Sequence, residues 1–184
     1  MPFIILDRDG VINYDSDEYI KSPDEWLPIP GSLQAIAQLN RAGFHVLIAT
    51  NQSGVARGLY DLEMLDTIHE KLMRELAAVG GHVDEIFFCP HHPDEKCACR
   101  KPKPGLIYRM QEKYKMDLAD TFFIGDSLVD VQAAKQAGCQ PLFVLTGKPN
   151  RPLIDINELV NVPTFENLAA AVDYVVFKRG KHSG

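Results

Sequence analysis

No stretch of the 184 residues approaches the roughly 20 consecutive apolar residues that a membrane-spanning helix needs. The amino terminus lacks a basic segment followed by a long apolar one, so no secretory signal peptide is expected and a cytoplasmic location is. Positive charge is also short: 19 Lys and Arg face 25 Asp and Glu, a formal charge of −6. This gives no electrostatic reason to expect nucleic acid or an anionic membrane as a partner. A small anionic ligand would need local basic groups or a metal. Cysteine is scarce, four in all, and uneven: Cys89, Cys97 and Cys99 are clustered while Cys139 stands alone. With no secretion signal, the cluster points to metal rather than disulfides. Cys139, ahead of an apolar run, reads as a buried, inert thiol. There is no internal repeat and no low-complexity tract.

What is present begins at residue 3. Phe3, Ile4, Ile5 and Leu6 run into Asp7, Arg8, Asp9 and Gly10, a short buried strand whose carboxyl end carries two acids. On an extended chain, side chains at i and i+2 leave one face roughly 6–7 Å apart. Two such charges at the end of an apolar strand need a counter-cation. Taken alone, the pattern serves equally well as a polar turn capping the next segment.

Further along, residues 13–30 look polar and irregular. Ser32 is a plausible N-cap for a helix ended by Gly43. Strands are expected at 45–50, 83–89, 121–125 and 141–145. Helices are expected at about 61–79, 105–116, 129–137 and 165–177. In the second helix Leu62, Leu65, Ile68, His69, Leu72, Met73 and Leu76 make the apolar stripe. Residues 147–163 read as a loop with one edge strand, and 178–184 as a frayed tail. Short buried strands alternating with helices imply an α/β, doubly wound, mainly parallel sheet of Rossmann-like type. At 46% apolar, the chain suits one well-cored domain over residues 1–184, with an elaborated loop near 89–103.

In such sheets ligands bind beyond the carboxyl ends of the strands. Those ends carry Asp7 and Asp9, Thr50 and Asn51, Cys89 with its loop, and Asp126. Asp7, Asp9 and Asp126 offer a hard oxygen site suited to Mg²⁺. Asp130, four residues on, reads better as a first-turn helix acid. Cys89, His91, Cys97 and Cys99 supply a full Cys₃His set for structural Zn²⁺, with no open position for water. Arg100, Lys101 and Lys103 then form the one dense basic run, suited to holding phosphate.

Together, Asp7-x-Asp9-Gly, Thr50-Asn51, Lys101-Pro102 and Gly125-Asp126 resemble the four signatures of the haloacid dehalogenase superfamily of phosphatases. The Cys/His loop resembles that of its small, zinc-bearing branch without a large cap domain. The resemblance runs to about residue 149 and includes residues 50–58, 89–93, 99–105 and 146–149. It implies a Mg²⁺-dependent phosphatase acting, as a monomer, on a small-molecule sugar phosphate. It implies Asp7 as nucleophile and Asp9 as general acid/base, with Mg²⁺ on Asp7, Asp126 and the Asp9 carbonyl. Thr50 and Lys101 would hold the phosphoryl oxygens and Arg100 would recognise substrate. Asp15, Ser16, Asp17, Glu18, Asn51, Gln52, Ser53 and Arg57 match substrate-contacting segments. Ser127 stands where relatives often carry Lys, which removes one cation. The chemistry so implied asks for an ionised Asp7 and for an Asp9 protonated in the Michaelis complex, its pKa raised by its environment and the approaching phosphate. A rival class, a zinc-loop binding module for nucleic acid or protein, sits badly with the acidic charge and three acids on one edge.

Overall fold

The computed structural model describes residues 1–148 and 156–182. Among them six strands make one sheet: β1 (Phe3–Leu6), β2 (His45–Asn51), β3 (Glu85–Cys89), β4 (Phe122–Gly125), β5 (Gln140–Val144) and β6 (Thr164–Phe165). All pair in parallel, in the order β3-β2-β1-β4-β5-β6. The order reverses beside β1, whose neighbours are β2 and β4. The crevice at that reversal is where doubly wound sheets bind ligands.

Among the described residues five helices cover the two faces: α1 (Ser32–Arg41), α2 (Leu62–Ala78), α3 (Gly105–Tyr114), α4 (Leu128–Ala137) and α5 (Leu168–His182). Strand side chains alternate in direction, and this divides the core in two. Ile4, Leu6, Val46, Ile48 and Ile124 pack with α1, α2 and α5. Phe3, Ile5, Leu47, Ala49 and Phe123 pack with α3 and α4. Burial on both sides explains why the strands read as unbroken apolar runs rather than alternating ones.

Several local expectations differ from the structure. The N-cap of α1 is Gly31, at φ +88°; Ser32 is the first helical residue, and its hydroxyl donates to the Val11 carbonyl. Leu62 and Met73 are exposed, so the buried stripe of α2 is Leu65, Ile68, His69, Leu72 and Leu76. The stretch 13–30 is not merely polar: Ile20, Trp26 and Ile29 are buried, and a 3₁₀ turn spans Pro23–Glu25. Lys71 of α2 donates to the carbonyls of Pro23 and Trp26, both at 2.8 Å, which ties this loop to the body. The expected frayed tail is helical to His182; residues 183–184 and Pro149 lie outside the described residues. The edge strand expected in 147–163 is β6, one residue later. Cys139 is buried, and burial pushes its thiol up to about 12.

Candidate active site and metal centre

Asp7 follows the last residue of β1, and its N–H still donates to the Ile124 carbonyl at 3.0 Å. The chain then turns sharply, with the Arg8 carbonyl accepting from the Ile12 amide at 2.8 Å. Extended spacing therefore ends at Asp7. The turn needs Gly10: its φ is +83°, and a β-carbon there would overlap the Asp126 carboxylate. Both acids line one cleft of about 350 Å³ at the sheet's reversal point. From β2 and the loop behind it come Thr50, Asn51, Gln52, Ser53 and Arg57. Asp15, Ser16, Asp17, Arg100, Lys101 and Asp126 join them. Glu18 does not: it is exposed, and its amide is turned back to the Ser16 hydroxyl. Tyr19, Ser127 and Lys148, to which no ligand contact was assigned, also line the cleft.

Lys101 lies at the centre of the charges. Its buried ammonium sits 2.9 Å from Asp7 Oδ1 and 2.7 Å from Asp130 Oδ1, and donates to the Ala49 carbonyl at 2.8 Å. Asn51 clamps its backbone, accepting from the Lys101 amide at 3.0 Å and donating to its carbonyl at 3.1 Å. Asp130 does cap α4: its Oδ2 accepts from the Ser127 hydroxyl at 2.8 Å. Its other oxygen orients Lys101, a role that a first-turn acid does not reveal in sequence. The Ser127 hydroxyl is thereby spent on the cap.

Burial, then the charge of Asp130, push the Asp7 carboxyl up to about 7, against the pull of Lys101. Asp9 moves the other way. Burial raises it, but the Arg8 guanidinium and hydrogen bonds from Asn13, Arg8 and Gln52 outweigh burial and hold it below its ordinary value. In the ligand-free site the protein environment thus lowers Asp9, where the expectation has it help to raise it, because Arg8 folds back on its neighbour. Arg8 Nε and Nη2 both donate to Asp9 Oδ1, at 2.9 and 2.8 Å.

Thr50 is buried, and its hydroxyl oxygen accepts from Gln52 Nε2 at 3.0 Å, so its own hydrogen can point to an anion. At the rim, Lys148 pairs with Asp17 at 3.0 Å and lies 3.8 Å from Asp15. Arg57 lies over the Tyr19 ring at 5.7 Å. Arg100 carries a buried Nη1 without a partner among the described residues.

Oxygens of Asp7, Asp126 and Asp130 lie within 4.8 Å of one another. Both Asp130 oxygens are committed to Lys101 and the α4 cap, so Asp7 and Asp126 are the pair through which a hard cation would be held. An all-oxygen donor set of this kind fits Mg²⁺. Beyond β3 a second set forms. The sulfurs of Cys89, Cys97 and Cys99 are 3.0–3.6 Å apart, and His91 Nδ1 is 3.5 and 3.2 Å from Cys89 and Cys99. Bonds of about 2.3 Å to a tetrahedral Zn²⁺ put sulfurs about 3.8 Å apart, so the four atoms are close to the spacing such an ion requires. His92 is not one of them; its Nδ1 accepts from the Asp94 amide and caps the turn Pro93–Glu95.

The family description of haloacid dehalogenase-like hydrolases matches residues 3–138. The chain belongs to this family. A curated haloacid dehalogenase relative from Bordetella bronchiseptica, named D-glycero-beta-D-manno-heptose-1,7-bisphosphate 7-phosphatase, is 52% identical over 176 residues, covering 96% of this chain and 98% of its own. One of the same name from Pseudomonas aeruginosa is 55% identical over 150 residues, covering 82% and 84%. The crystal structure of D,D-heptose 1,7-bisphosphate phosphatase from B. bronchiseptica, complexed with magnesium and phosphate, superposes with a TM-score of 0.88 at 50% identity. It spans 97% of this chain and 99% of that one. No helix among the described residues is long and apolar enough to cross a membrane.

Arg8, Asn13, Tyr60 and His69 also shape the site without having been singled out for it. Arg8 is fully buried. A charged residue between two acids at a strand end is the one local signal that could have found it.

Proposed function

We propose that this phosphatase removes the 7-phosphate of D-glycero-β-D-manno-heptose 1,7-bisphosphate, with Asp7 as nucleophile and Asp9 as general acid/base. The observation that carries the reading is the pairing of Asp7 with Lys101, between Thr50 and Asp126, at the reversal point of the sheet. The substrate comes from the names of relatives that are half identical over nearly the whole chain.

In the first step an Asp7 oxygen attacks phosphorus, the bond from phosphorus to the sugar oxygen breaks, and Asp9 gives that oxygen a proton. In the second, water attacks the aspartyl phosphate, Asp9 takes the water's proton, and Asp7 is released with inorganic phosphate. Thr50 and Lys101 hold the phosphoryl oxygens as charge spreads over them. Asp7, Asp126 and the Asp9 carbonyl would hold Mg²⁺, which would supply charge neutralisation there and favour the ionised form of Asp7. The approaching phosphate raises Asp9 from its low resting value by like-charge repulsion. Arg100, whose Nη1 has no partner among the described residues, suits the second phosphate.

The chain is read as one domain over residues 1–184, a cytoplasmic monomer with a structural zinc, in ADP-heptose supply for lipopolysaccharide core. Turnover of both heptose bisphosphate anomers and of histidinol phosphate tests the substrate. A clear preference for histidinol phosphate would sink the heptose assignment. Asp7→Asn is expected to abolish Mg²⁺-dependent phosphate release while leaving the fold intact; release that persists would remove Asp7 as nucleophile.

A further inference from the structure

We propose that His69, a helix residue that does not line the cleft, is a positioning residue for the proton transfer. Through Arg8 it locks the Asp9 carboxyl so that Oδ2, and not Oδ1, handles the proton. The inference rests on the acid/base role given to Asp9 above.

Arg8 Nη1 lies 3.0 Å from His69 Nε2. A guanidinium has donors only, so Nε2 must accept, and the ring is neutral with its proton on Nδ1. The ring is buried on α2 between Leu65 and Leu72 and packs against Phe88 at 6.3 Å. Its low resting pKa, about 3 through burial and the Arg8 charge, keeps it an acceptor across the working range. With Nη1 so anchored, Nε and Nη2 reach Asp9 Oδ1 together. Asn13 Nδ2 adds a third donor to the same oxygen at 2.9 Å. Asp9 Oδ2 receives Gln52 Nε2, at 3.0 Å. Gln52 is itself oriented by the Tyr60 hydroxyl, which donates to its Oε1 at 2.6 Å.

A carboxylate offers about two lone-pair sites on each oxygen. Three donors fill Oδ1, and a hydrogen placed there would face three others. Oδ2, which receives Gln52 alone, keeps one site. The two Asp9 oxygens are thus made unequal by a fork whose far tooth rests on His69. Without that acceptor, a fully buried Nη1 loses its partner, and the guanidinium is released to turn away from Asp9.

The test uses two leaving groups. A sugar oxygen must be protonated as it departs, whereas p-nitrophenolate leaves without a proton. His69→Leu and His69→Gln are compared with the unaltered protein at saturating Mg²⁺, each first checked by thermal unfolding. His69→Leu is expected to lower kcat on the heptose bisphosphate by about 10–100-fold, within the range of a compromised general acid, with little change in KM. The burst of p-nitrophenolate from p-nitrophenyl phosphate, which reports the first step alone, is expected to change less than about 3-fold, since that step then needs no acid. In His69→Gln the amide oxygen replaces Nε2 as acceptor and should restore most of the loss. If His69→Leu does not fold, Arg8→Lys, which keeps the charge and removes the fork, should show the same split between leaving groups. Equal losses on both substrates, an unchanged kcat, or a His69→Gln no better than His69→Leu would overturn the inference. An unaltered protein inert on both phosphate esters would instead overturn the proposed function, and this inference with it.

Discussion

Lys101→Met should expose how much of this fold is held against its own charges. The ammonium is 3% exposed and bridges Asp7 and Asp130 at 2.9 and 2.7 Å. At an effective dielectric of about 20, each contact is an attraction of about 6 kcal/mol, set against several kcal/mol of desolvation per ion. Without the ammonium, carboxylate oxygens within 4.8 Å of each other repel by about 3 kcal/mol on the same scale. Removing one partner of a buried ion pair costs about 3–5 kcal/mol, and that is the loss expected in Mg²⁺-free urea titrations. It is a large part of the roughly 5–15 kcal/mol that keeps a domain folded. The sign with pH follows from Asp7, whose carboxyl burial and Asp130 already hold up at about 7. Losing Lys101 raises it further. The penalty is therefore full above that raised value and shrinks as pH falls through it, when Asp7 takes a proton. Mg²⁺ should shrink it too. A second change, Asp130→Asn, removes one of the stranded charges and should return about 1 kcal/mol or more. A single-variant loss below about 1 kcal/mol, or losses that simply add in the double variant, would refute the electrostatic account.

Two further outcomes are expected. Cys97→Ser should lower the zinc content of the purified protein and its thermal midpoint, by about 2–4 °C for each kcal/mol of metal binding lost, more than it alters the chemical step. A metal assay that finds no zinc in the unaltered protein would remove the Cys₃His assignment. Gly10→Ala places a β-carbon against Asp126 and costs about 1–2 kcal/mol for the left-handed backbone alone. It should also raise the Mg²⁺ concentration needed for half-maximal activity, and an unchanged Mg²⁺ dependence would argue against Asp126 as a ligand.

The parts of the site legible in the sequence are those attached to strand ends. Asp7, Thr50 and Asp126 each close a short apolar run, and parallel topology carries such ends to one edge whatever the loops do. Lys101 is legible through its neighbours, as part of a basic run in an acidic chain. What stays hidden depends on contacts across the fold. His69 sits 61 residues from Arg8 and, at helical spacing among leucines, looks only like core. Asp130 looks like a helix cap, and it is one; its second oxygen meets Lys101 only because the loop after β3 carries that ammonium to the start of α4. Trp26 is disguised by the prolines and charges around it. The resting direction of the Asp9 shift is hidden for a related reason. Burial and like charge were legible, but the side-chain rotation that brings Arg8 back onto its own neighbour was not.

The loop beyond β3 places tolerance and intolerance on opposite sides of one cluster. Cys99 is the last sulfur ligand, and Lys101 is two residues later, a tether that spans at most about 7 Å. Between His91 and Cys97 the chain only travels from one ligand to the next, over a 3₁₀ turn at Pro93–Glu95 whose residues are not buried. Length can drift there over evolutionary time while the four ligand atoms stay put. After Cys99 there is no slack: a single inserted residue would carry the ammonium away from both of its carboxylates.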